Sequence, residues 1–246
     1  MEHSMPANYA LESIDLGKSF GQTRALHALN LAIPKGEVLC LLGANGAGKS
    51  TTINLFLGFL KPDTGRALVN GTCVAESPSK ARQQLAYLPE AVALYPKLTG
   101  LENLVFFEKL AGGKRSEEDL MDFLVQVGLP PQFVHRATST YSKGMRQKVG
   151  IAIAMARGAG TLLLDEPLSG LDPSAANSLC QQIGKLRDDG CAVLMATHDI
   201  FRAKEVGDRI GIMMGGELVN LLDTQGLNAN EIESIYLEHL HESNAA

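Results

Sequence analysis

Residues 38–51 read Val38-Leu39-Cys40-Leu41-Leu42-Gly43-Ala44-Asn45-Gly46-Ala47-Gly48-Lys49-Ser50-Thr51, and this stretch decides the fold. Five consecutive apolar residues suit a strand buried on both faces. The next eight fit GxxxxGK[ST], after a strand and opening a helix, which should run from about Gly48 to Leu60 before Pro62 stops it. Glycines let the backbone fold around phosphate groups with N–H bonds pointing inward. The helix N-terminus adds partial positive charge. Lys49 reaches the outer phosphates, and the Ser50 hydroxyl can ligate Mg²⁺. Gly43, Asn45, Gly46, Ala47, Gly48, Lys49, Ser50 and Thr51 are therefore candidate nucleotide-binding residues.

Such a cradle defines a P-loop NTPase and no more, so the rest of the chain must discriminate. Leu162-Leu163-Leu164-Asp165-Glu166-Pro167 is an apolar strand ending in two carboxylates. Ligands bind at the C-terminal edge of a parallel sheet. Asp165 there can hold Mg²⁺, and Glu166 can orient and polarise the attacking water. Ala196-Thr197-His198-Asp199 ends another buried run, with His198 32 residues after Glu166; beside a γ-phosphate such a His could donate a hydrogen bond.

Further out, strands are expected at 10–16, 29–33, 67–69, 85–88, 161–164, 191–196 and 209–213, with a helix at 173–187. The first two suit an antiparallel sheet. Helical periodicity dominates 99–156: Leu101, Leu104, Val105 and Glu108 share one face, and Leu120, Phe123, Leu124 and Val127 share another. The reading is α/β, a nucleotide-binding core with a helical insert at about 90–158. Ile232, Ile235, Tyr236 and Leu240 line one face of a short final helix, and metal binding by His239 and His241 is not expected there.

The chain has 246 residues and a net charge of −5, from 22 basic and 27 acidic side chains. That balance disfavours nucleic acid, whose phosphates need clustered Lys and Arg. The longest apolar run, Val149 to Ala156, ends at Arg157, well short of the ~18 residues needed to cross a bilayer. The N-terminal segment shows no basic head followed by an apolar run, so no signal peptide is expected. Cys40, Cys73, Cys180 and Cys191 form no CxxC pair and read as small buried residues in a reducing compartment. His3, His27 and His135 form no ligand cluster.

Tyr141-Ser142-Lys143-Gly144-Met145-Arg146-Gln147 resembles the signature loop, usually LSGGQ, of ATP-binding cassette (ABC) transporter nucleotide-binding subunits. Ser169-Gly170-Leu171-Asp172 resembles their D-loop. With the cradle and the acidic strand end, the resemblance covers about residues 10–220. It implies the ABC ATPase fold: a P-loop NTPase core (about 8–89 and 159–220), an antiparallel β subdomain and an inserted helical subdomain (90–158). Together these make one ATPase domain over 1–225, followed by a helical tail at 226–246. It also implies ATP and Mg²⁺ as ligands, and Phe20 stacked on adenine. Two copies would dimerise head to tail, with Ser142, Gly144 and Asp172 completing each nucleotide site. Catalysis would fall to Glu166 and His198, and metal binding to Ser50, Asp165 and Glu90. Partner integral membrane subunits would place the chain on the cytoplasmic face of the inner membrane.

Two departures from the family pattern stand out. Residue 90, in Tyr87-Leu88-Pro89-Glu90, is Glu where the family has the Q-loop glutamine, and Tyr141, Lys143 and Met145 replace Leu, Gly and Gln. These segments and Leu94-Tyr95-Pro96-Lys97-Leu98-Thr99-Gly100 are similar to exporter cassettes. Among those, they most resemble ATPases of copper-handling transporters for nitrous oxide reductase maturation, implying a copper- or sulfur-related cargo. Residues 90–104, with Leu94, Tyr95 and Leu98, are the expected docking patch for a membrane subunit. A soluble cassette that remodels a protein assembly is the alternative.

Overall fold

The computed structural model describes residues 9–245, with side chains through His241; His3 lies outside them. Along the chain run β1 (Leu11–Phe20), β2 (Thr23–Ile33), β3 (Val38–Leu42), α1 (Lys49–Phe56), β4 (Thr64–Val69), β5 (Thr72–Cys73), α2 (Pro78–Gln83) and β6 (Leu85–Leu88). Four helices follow: α3 (Gly100–Leu110), α4 (Glu117–Gln126), α5 (Pro131–Val134) and α6 (Lys143–Arg157). The chain then returns to β7 (Thr161–Asp165), α7 (Pro173–Asp188), β8 (Ala192–Thr197), α8 (Ile200–Val206), β9 (Arg209–Met214), β10 (Glu217–Asp223) and α9 (Ala229–Ala245).

Two sheets form. One is antiparallel, in the order β2-β1-β4-β5. The other has the order β10-β9-β3-β8-β7-β6 and is parallel except for β10. The uninterrupted apolar runs follow from burial of both faces of this second sheet. In β3, Val38, Cys40 and Leu42 enter one core with Leu162, Leu164, Val193 and Met195, beneath α3, α4, α6 and α7. Leu39 and Leu41 point the other way, into a second core shared with β1, β2 and α1. Alternation along the strand is therefore apolar against apolar, and the P-loop is anchored at the buried centre of the molecule.

Some elements differ from the sequence expectation. Helix α1 ends at Phe56, not Leu60: Gly58 turns left-handed (φ 66°), and the N–H groups of Phe59 and Leu60 close on the Asn54 carbonyl. Strands β1 and β2 are longer than expected because they continue through bulges, with Asp15 (φ 47°) and Ala28 (φ 40°) in left-handed conformation. A bulge shifts the alternation by one residue, which hides the strand from a period-two reading. This extension carries Phe20 to the tip of the hairpin. Cys73 is only half-buried, on the two-residue edge strand β5, while the other three cysteines are buried. Burial pushes the Cys191 thiol up to about 11.

The helical stretch is built from local signals. Thr99 and Glu102 form a capping box on α3, and Ser116 and Asp119 form one on α4. Helix α6 is capped by Ser142 before it and by Gly158, left-handed (φ 62°), after it. Helix α9 is 17 residues long, not short. Its Ile232 joins the core of its own chain, with Ile235 and Tyr236 packed against that core. Among the described residues no helix is long and apolar enough to cross a membrane.

Candidate functional site

The cradle closes around glycine geometry that other residues resist. Gly48, which caps α1, has φ 105°, and a Cβ there would lie 2.8 Å from the Ala25 carbonyl oxygen. Gly43 is packed so closely on the Met213 backbone that a Cβ would collide with it. Above this loop opens a cavity of about 660 Å³. Ala44 through Thr51 form its floor, and Phe20, Glu90, Asp165 and Glu166 complete the wall with Arg24 and Gly215. Of the expected cradle residues only Gly43 lies beneath it; the Gly43 N–H donates to Thr197 O at 3.3 Å. Phe20 is half exposed, with Lys18 Nζ 5.7 Å from its ring centroid. An open aromatic face at the cavity mouth suits a planar base.

Sequence reasoning missed Arg24 and Gly215. Nothing local marks them, because the β1–β2 hairpin and the β9–β10 turn bring them in from distant positions.

At the cavity floor Lys49 is buried, and its Nζ donates to the carbonyls of Gly43 (2.5 Å) and Ala44 (3.3 Å). The same Nζ lies 3.4 Å from Glu166 Oε1. Glu166 Oε2 meets His198 Nδ1 at 2.9 Å. The three expected residues thus form one line from cradle to β8 edge. Buried Glu166 Oε1 has an ion-pair neighbour but accepts no hydrogen bond. A buried carboxylate oxygen in that condition retains an unused acceptor position. Glu166 also holds a left-handed backbone (φ 47°), unusual for a residue with a Cβ.

Ser50 Oγ donates to Asp165 Oδ1 at 3.1 Å. A hydroxyl and a carboxylate held together at a helix N-terminus are hard oxygen donors that fit Mg²⁺. Burial raises the Asp165 carboxyl above its ordinary range, the Ser50 hydrogen bond lowers it, and neighbouring Glu166 raises it further. A bound cation would remove that penalty. The Glu90 carboxylate reaches the same cavity, and its Oε1 also accepts from Ser169 Oγ at 3.2 Å.

Ser142, Gly144 and Asp172 do not line this cavity. Ser142 Oγ caps α6 by accepting from Met145 N at 3.2 Å, which leaves its O–H free to donate outward. Tyr141 is buried, and its hydroxyl donates to the Phe133 carbonyl at 2.6 Å, so the aromatic at this position anchors the loop. Asp172 caps α7 by accepting from the N–H groups of Ser174 and Ala175, both at 3.0 Å. In the segment before α3, the Asn103 side chain bonds to Tyr95, Leu98 and Thr99, and Tyr95 stays half exposed beside Phe106 (4.7 Å between rings).

Comparison with known proteins agrees with this geometry. The ABC transporter family model matches residues 26–169. The linearmycin resistance ATP-binding protein LnrL of Bacillus subtilis is 33% identical over 85% of this chain and 68% of its own length. The daunorubicin/doxorubicin resistance ATP-binding protein DrrA of Streptomyces peucetius is 34% identical over 95% and 71%. The probable multidrug ABC transporter ATP-binding protein YbhF of Escherichia coli is 37% identical, but this chain spans only 37% of its length. Among solved structures, an ATP-binding subunit of an ABC transporter superposes with TM-score 0.81 at 29% identity, covering 93% of this chain and 99% of that one. The dimeric bacterial cassette MJ0796 gives 0.80 at 27%, covering 88% and 100%. From cradle to β8 edge, then, the chain belongs to the ABC transporter family, as one of its ATP-binding, ATP-hydrolysing subunits.

Proposed function

We propose that this subunit drives integral membrane partners by closing over ATP with a second copy of itself, and reopening on hydrolysis. The observation that carries the reading is the Lys49–Glu166–His198 line on the cavity floor beside the Ser50–Asp165 pair. In this reading the triphosphate lies along the cradle, and the N–H groups at the start of α1 bind its oxygens. Lys49 exchanges its loop carbonyls for the outer phosphates. Ser50 and Asp165, with Glu90 beside them, hold Mg²⁺, whose charge offsets that of the phosphates. Glu166 orients and polarises the attacking water, and His198 fixes its Oε2 by hydrogen bond. Phe20 stacks on adenine.

Ser142 and Gly144 complete the site from the second copy. Their place outside this chain's own cavity and the outward-facing Ser142 hydroxyl support that role, as does MJ0796, a cassette of similar fold that is dimeric. Asp172 contributes by capping α7 beside that interface. The Tyr95 segment, braced by Asn103 yet half exposed, is the docking patch for a membrane subunit, which would hold the chain peripherally at the cytoplasmic face of the inner membrane. No role in nucleic-acid binding is proposed for this acidic chain.

The cargo is a drug-like or antibiotic molecule by analogy with the resistance proteins. The copper- or sulfur-related cargo rests on the YLPE, LYPKLTG and YSKGMRQ segments alone. Purification of Glu166→Gln from native membranes with ATP and Mg²⁺ tests the reading: a multispanning protein should accompany it. Recovery of soluble partners alone would favour the remodelling alternative.

A further inference from the structure

The two departures from the family pattern meet in space. Lys143, on the first turn of α6, places its Nζ 3.8 Å from Glu90 Oε1. Its stem lies over the Ser169-Gly170 turn, where a Cβ on Gly170 would sit 3.6 Å from Nζ and 3.9 Å from Cδ. Ser169 Oγ donates to the same Glu90 oxygen, and Gln147 on α6 donates to the Glu90 backbone carbonyl at 3.0 Å. One carboxylate thus gathers the segment after β6, the turn after Glu166 and the start of α6. Glu90 also lines the nucleotide cavity, with Asp165 and Glu166 in the same wall. Three carboxylates share a cavity that must accept a polyanion, and its cations are the buried Lys49 and the exposed Arg24. A neutral side chain at position 90 would add no such charge.

We propose that Lys143 is a positioning residue acting through Glu90: its ammonium offsets the charge that Glu90 brings to the nucleotide cavity and holds that carboxylate at the Ser169 turn. This rests on the proposed ATP site. Lys143 is then needed only because residue 90 is acidic. Exposed pairs at this separation are weak, so the effect is modest.

The test uses the full chain with Lys143→Ala, Lys143→Arg, Glu90→Gln and the double variant Lys143→Ala/Glu90→Gln. ATP affinity is measured by equilibrium fluorescence titration, with and without Mg²⁺, alongside steady-state hydrolysis. Lys143→Ala should weaken ATP binding by about 2- to 5-fold. Lys143→Arg should stay at wild type. The double variant should bind no more weakly than Glu90→Gln alone. A loss from Lys143→Ala that is equally large in the Glu90→Gln background, or no loss in either background, overturns the proposal. Failure of the wild-type chain to bind ATP would instead overturn the site assignment on which it rests.

Discussion

Glu166 carries a left-handed backbone at the point where β7 meets the cavity, and that geometry has a measurable cost. For a residue with a Cβ the left-handed conformation costs roughly 1–2 kcal/mol, which glycine avoids. Glycine gives back about 0.4–1 kcal/mol through the freedom it adds to the unfolded chain. Glu166→Gly should therefore exceed Glu166→Ala in stability by about 0.5–1 kcal/mol, although glycine usually weakens a fold. For a chain of this size that is a Tm difference of about 1–4 °C. Both variants lose the Lys49 and His198 contacts, so the pair isolates the backbone contribution. Both should also lose hydrolysis by at least ~100-fold, the range for removing a positioned base. The assays are thermal and urea denaturation without nucleotide, and phosphate release with ATP and Mg²⁺. An alanine variant as stable as the glycine variant would remove the strain argument. Hydrolysis within tenfold of wild type would remove Glu166 from the water-handling role.

Other outcomes follow from the same contacts. Asp165 has a raised carboxyl value, so without divalent cation the folded chain holds its proton above the ordinary 3.8, where the unfolded chain has lost it. Stability should fall as pH rises through that interval. Asp165→Asn should flatten that part of the profile in urea titrations run upward from pH 3.8, and a profile unchanged by the substitution would contradict the assigned cause. Glu108, buried against Arg115 at 3.1 Å, closes the loop between α3 and α4 over Gly113, where a Cβ would strike its carboxylate. Gly113→Ala should cost about 1–3 kcal/mol in denaturation while leaving the cradle untouched. ATP affinity falling in parallel would show that this loop communicates with the site.

The α/β class, the positions of strands β3, β6 and β7, and the strand–glycine loop–helix order of the cradle were legible in the sequence. Each rests on a contiguous pattern whose physics is local: an apolar run, glycines that free the backbone, and a lysine and serine at a helix start. The same holds for Asp165 and Glu166 at the end of β7. Bulged strands were not legible, because an extra residue at Asp15 or Ala28 shifts the alternation on which reading a strand depends. Nor were Arg24, Gly215, the 2.9 Å Glu166–His198 contact, or the meeting of Lys143 with Glu90. Glu90 and Lys143 lie on segments far apart in the chain, and only the packing of α6 against β6 brings them together. Residue types and short spacings set what each group can do; the burial of two cores against a shared sheet sets which groups face one another.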